Sequence, residues 1–116
     1  MKNQLMTNEI LRKFQKFPYL SQDGKGLQAE VLVKYFNPYG GQTWIITEAE
    51  YDEENCDWIM YGYCNLGYGY EFGPVSFNEL SSIRVNVWGC KMPLERDIYL
   101  KKHCKVIDLI SSEDLM

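Results

Sequence analysis

The chain has 116 residues, 46% of them apolar, and a formal net charge of −4, which fits a single globular domain over residues 1–116 with one core. No apolar run is long enough to cross a bilayer and the first residues lack the apolar stretch of an export signal, so a cytoplasmic protein with no membrane partner is expected. The charge is unevenly placed: residues 35–83 hold eight carboxylates, twelve of the seventeen aromatics and no lysine or arginine, a local charge of −8 against +4 elsewhere.

In chain order, Thr7 is placed to cap a helix through Lys16, because Ile10, Leu11, Phe14 and Phe17 recur on one helical face and Pro18 ends the run. A polar connector with two glycines covers residues 21–26. Residues 29–36 are rich in β-branched and aromatic side chains and read as a strand, residues 37–41 as a turn, and residues 43–48 as the second strand of a hairpin. An acidic loop follows over residues 48–57, then strands over 58–64 and 68–75 with a turn at Asn65-Leu66-Gly67. Ser76-Phe77-Asn78-Glu79 has the spacing of a capping box and predicts a short helix to Ile83. Residues 84–88 read as extended, 89–93 as a loop, and 95–100 and 106–110 as final strands. The expectation is an α+β fold: an antiparallel sheet of about five to six strands, an N-terminal helix and one short helix after the fourth strand.

Candidate chemistry is sparse. Gly67-Tyr68-Gly69-Tyr70-Glu71-Phe72 matches the first half of the central strand of an RNA-recognition motif, but Leu66 stands where that motif has a base and Glu71 where it has an aliphatic residue. A stretch without bases repels phosphate, so direct nucleic-acid binding is disfavoured, leaving an RNA or single-stranded DNA binder as an alternative that would use the tyrosine-rich sheet face. The same glycines lack the lysine and helix start of a phosphate cradle, and the acidic run lacks the glycine and terminal glutamate of a calcium loop. Cys56, Cys64, Cys90 and Cys104 match no paired zinc spacing, so no metal and no cofactor is expected. His103, the one histidine, has no local partner for catalysis. Glu95-Arg96-Asp97 is the sharpest polar cluster outside the acidic stretch and reads as a structural ion-pair network, with a small enzyme or ligand site at these three residues as an alternative.

From Thr43 onward the chain resembles a family of small uncharacterised proteins, a domain of unknown function carried by plasmids, phages and other mobile elements. The carrying residues are the strand from Thr43-Trp44 to Glu48, Glu71-Phe72-Gly73 leading into Ser76-Phe77-Asn78-Glu79-Leu80, Arg84, and Glu95-Arg96-Asp97-Ile98-Tyr99, about half of the chain. The acidic residues 51–57 and the loop 86–93 depart from that pattern. The family has no agreed catalytic residues, so what the resemblance implies is context: small proteins of mobile elements often neutralise host defences, whose nucleases are basic where they grip nucleic acid.

Together these features point to a non-enzymatic protein-binding module, an inhibitor of a host nucleic-acid-targeting defence of anti-restriction or anti-CRISPR type. Its partner would be the basic surface of a nucleic-acid-handling protein. The residues expected at that interface are Glu48, Glu50, Asp52, Glu53, Glu54 and Asp57 for steering, with Tyr51, Trp58 and Trp88 as aromatic anchors. An exposed aromatic sheet face also allows a homodimer.

Overall fold

In the computed structural model, which describes residues 4–115, the Thr7 hydroxyl accepts from the Ile10 amide at 3.2 Å and opens helix α1 (Asn8–Lys16). Its buried face is Ile10 and Phe14, four residues apart, and the Phe17 carbonyl at its end accepts from the Ala49 amide at 3.0 Å. The helix therefore docks on the sheet by both side chains and backbone.

The strands are β1 (Val33–Phe36), β2 (Thr43–Asp52), β3 (Asp57–Asn65), β4 (Tyr70–Ser76), β5 (Arg84–Val87), β6 (Cys90–Pro93) and β7 (Glu95–Arg96), with helix α2 (Phe77–Ser82) between β4 and β5. Five of them form an antiparallel sheet in the order β4-β3-β2-β1-β7, and β5 pairs with β6 in a separate hairpin. The architecture is α+β, with the N-terminal helix and the short helix after the fourth strand where the sequence places them. Among the described residues no helix is long and apolar enough to cross a membrane.

One face of the sheet packs Leu32, Tyr35, Trp44, Ile46 and Met60 against Ile10 and Phe14 of α1 and Leu80 of α2. On the other, Ala29, Val31 and Ile45 are covered by Cys104, Val106 and Ile110 of the C-terminal segment. β2 carries a bulge between Ile46 and Glu48, which lets Ile45, Ile46 and Thr47 all be buried in succession.

Five boundaries differ from the sequence-based expectation. The strand expected at 29–36 is continuous only from Val33, with Glu30 making an isolated bridge to Lys105. β2 runs on to Asp52, so the acidic residues begin inside a strand and only residues 53–56 turn. Residues 90–93 are strand rather than loop, because Trp88 (φ 54°) and Gly89 (φ 83°) form a two-residue left-handed turn that matches the twist of a hairpin. The strand expected at 95–100 stops after Arg96: the Asp97 carboxylate accepts from the Tyr99 amide at 2.9 Å and closes a side-chain turn instead. Residues 106–110 are no strand at all. Val106 and Ile110 are buried at a helical spacing, and Asp108 accepts from the Lys105 amide at 2.9 Å to hold a 3-10 turn over Val106–Asp108.

Gly62 of β3 lies opposite Ile46, beside the bulge, where a Cβ would sit 1.9 Å from the Ile45 carbonyl oxygen. At Gly73 of β4 an added Cβ meets nothing within 4 Å. In urea unfolding, Gly62→Ala should therefore cost about 2–3 kcal/mol through backbone displacement, whereas Gly73→Ala should stay within about 0.5 kcal/mol of wild type. Equal losses in the two variants would contradict the packing described at the bulge.

Candidate functional site

The acidic stretch divides into structural and exposed carboxylates. Glu48, 3% exposed, accepts from the Leu20 amide at 2.9 Å and the Gln22 amide at 3.1 Å, one on each oxygen. It clasps the connector between α1 and β1 to the middle of β2, where the Gln22 side chain also donates to the Glu30 and Thr47 carbonyls. Asp57, 7% exposed, accepts from the Asn78 amide at 2.9 Å and from the Ser76 hydroxyl. Because the Ser76 oxygen in turn accepts from the Glu79 amide at 3.1 Å, Asp57 and Ser76 together satisfy two free amides at the start of α2, where the helix dipole favours negative charge. The expected surface role of Glu48 and Asp57 is thus corrected: both side chains are committed to backbone donors inside the fold.

Trp58 is also committed. Its ring lies 5.4 Å from Phe14 and 5.3 Å from Tyr51, so it forms the inner layer of a stack whose outer member, Tyr51, remains 46% exposed. Glu50, Glu53 and Glu54 are exposed at the end of the β2–β3 hairpin. Asp52 shapes its turn by accepting from the Glu54 and Asn55 amides and the Asn55 side chain. The Asn55 side-chain bond, with the two amides, holds the Asp52 carboxyl below its usual range. Trp88 stands on a different element, the tip of the β5–β6 hairpin, and is 98% exposed.

Glu95, Arg96 and Asp97 do not converge. Arg96 Nε donates to the Gln4 carbonyl at 2.7 Å, Asp97 lies 4.0 Å from Lys34 Nζ, and Glu95 lines a separate groove with Leu5, Met6 and Phe77. The hollow beside Arg96 and Asp97 holds about 110 Å³, under the several hundred that ligand pockets usually need, whereas the groove that Glu95 lines holds about 780 Å³ and takes in neither Arg96 nor Asp97. These contacts tie the N-terminal segment and β7 to β1.

A feature not legible from the sequence is an apolar groove of about 660 Å³ beside β4 and α2. Trp44, Cys64 and Val75 line it from three adjacent strands, together with Leu80 of α2 and Ile83 just after it, and with Leu66 and Tyr68 of the β3–β4 turn. Glu71 and Glu79 are its charged lining residues, both exposed. Burial pushes the Cys64 thiol up to about 11. The volume falls in the range of sites that hold a ligand or an inserted side chain.

A family model described as a protein of unknown function (DUF2958) matches residues 5–112. The chain belongs to this family. A comparison with curated proteins found no match, and neither did a comparison with solved structures. In this DUF2958 protein the matched span takes in both hairpins, the clasps made by Glu48 and Asp57, and the groove.

Truncating Glu48 leaves the buried Gln22 amide and the partly buried Leu20 amide without an acceptor, so Glu48→Ala should lower the unfolding free energy by about 2–4 kcal/mol, whereas Glu50→Ala should change it by about 0.5 kcal/mol or less. Denaturant titration of the two variants separates these roles. Thiol labelling of the native protein should show two fast cysteines, the exposed Cys56 and Cys90, and two slow ones, Cys64 and Cys104. Because folding favours the neutral Cys64 thiol, its contribution to stability is complete below the ordinary value of 9.0 and is lost as pH rises through about 11. Thermal midpoints measured across that alkaline window should fall for wild type more steeply than for Cys64→Ala.

Proposed function

We propose that this DUF2958 protein is a non-enzymatic, cytoplasmic protein-binding module that docks on the basic surface of a nucleic-acid-handling protein, as an inhibitor of a host restriction or RNA-guided defence carried by a mobile element. The observation that supports this most directly is the end of the β2–β3 hairpin, where Glu53 and Glu54 are exposed together with Tyr51, and Glu50 is exposed on the opposite face of β2. No lysine or arginine in residues 35–83 offsets them.

The hairpin end is well built for that work. β2 and β3 stay paired out to Asp52 and Asp57, so the carboxylates ride on a ladder rather than a free loop, and Asp57 ties its base to α2. Fixed negative charges of this kind accelerate encounter with a basic surface and turn away nucleic acid itself. Tyr51, braced by Trp58 and Phe14, supplies apolar contact at little further entropic cost.

The immobilised protein, incubated at low salt with lysate of a host that carries restriction or RNA-guided nucleases, should retain nucleic-acid-binding proteins that are released as salt rises. The Glu50→Gln/Glu53→Gln/Glu54→Gln variant, which leaves the structural Glu48, Asp52 and Asp57 in place, should lose them while unfolding at the wild-type midpoint. Retention of nothing by the wild type, or of the same proteins by the variant, would overturn the proposal.

A further inference from the structure

We propose that two copies of this chain pair by reciprocal insertion of Trp88 into the groove beside β4 and α2. This does not rest on the reading of the β2–β3 hairpin. Trp88 presents 98% of its surface to solvent from a turn position with φ 54°. Asparagine, aspartate or glycine takes that position with far less strain. A bulky apolar side chain held in such a conformation and touching nothing is a feature to be explained by a partner.

The charges around finger and groove are complementary. From Leu80 to Leu94 the chain has Arg84 and Lys91 and no carboxylate, so the finger is basic. The groove is the reverse: Glu71 and Glu79 have no ion-pair or side-chain hydrogen-bond partner among the described residues, and residues 35–83 contain no base. The largely apolar lining, with Trp44, Cys64, Val75, Leu80 and Ile83, accepts an indole ring, and the volume of about 660 Å³ accommodates one with room for flanking strand residues.

The two surfaces are contiguous on each copy. Ile83 lines the groove, and the next residue, Arg84, begins the finger, with its guanidinium anchored on the Ser81 and Ile83 carbonyls at 2.9 and 2.8 Å. A twofold axis then allows each finger to cross into the other copy's groove, so both contacts form at once and the assembly closes as a dimer. Each inserted tryptophan buries about 150–250 Å², and the pair of insertions gives a weak, concentration-dependent dimer.

Sedimentation velocity over a concentration series tests this on the full chain. Wild type should dimerise, and Trp88→Ala and Glu71→Lys/Glu79→Lys should each associate about tenfold or more weakly, with unfolding midpoints confirming that both variants fold. A mixture of the two variants should regain part of the association as a heterodimer, because the intact finger of the second fits the intact groove of the first and restores one of the two insertions, which neither variant alone can form. Overturning results are a wild type that stays monomeric throughout, a dimer insensitive to Trp88→Ala, or variants that gain nothing on mixing. A monomeric wild type whose capture of a lysate protein depends on Trp88 would assign the finger to a different partner and overturn self-pairing too.

Discussion

β2 is covered on both faces from Trp44 to Ala49, all six residues being buried, and a strand in that position cannot turn to water for its polar groups. Thr47 and Glu48 fall inside that run. The connector between α1 and β1 resolves the problem: Gln22 donates to the Thr47 carbonyl at 2.7 Å while the Leu20 and Gln22 amides reach Glu48. Leu20 adopts a left-handed φ of 71° in that connector. The bulge after Ile46 is part of the same solution, because it changes which side of the sheet each following residue faces.

That constraint sorts the carboxylates. Glu48 lies within the doubly covered part of β2 and becomes structural, Glu50 lies beyond it and becomes surface, and Asp57 is drawn back in on β3 by the amides of α2. Two clasps, one at each end of the acidic stretch, thus hold in place the hairpin end that carries the remaining charge. Buried, structural carboxylates and exposed ones are thus neighbouring residues of one type, distinguished by whether a backbone donor lies within reach.

The separation of charge along the chain is preserved in space as a separation of elements. The base-free stretch forms β2, β3, β4 and α2, with the acidic hairpin end and the acid-lined groove, while the segment after it forms a basic hairpin with an exposed tryptophan. Helix α2 lies between the two in the chain, with Ser82 ending it and Arg84 opening the hairpin.

Much of this was legible in the sequence. Thr7 and Ser76 announced their helices because a cap is a local interaction over three residues, and the α+β order followed from apolar periodicity. Residues 106–110 misled for the same reason that other segments informed: β-branched composition signals extended backbone, yet Val106 and Ile110 are both buried by a single turn that Asp108 closes. The split of the acidic stretch and the groove were not legible, since both depend on partners from other elements, such as Leu20 and Gln22 for Glu48, Asn78 for Asp57 and Trp44 beside Cys64. Sequence by itself determined where the two α-helices start, which segments form the central strands, and where charge of each sign resides. Only tertiary structure decided which carboxylates reach solvent, that Trp58 is braced while Trp88 is bare, and that Trp44, Cys64 and Val75 line one groove, because strand register and the amides brought across it exist only once the sheet has formed.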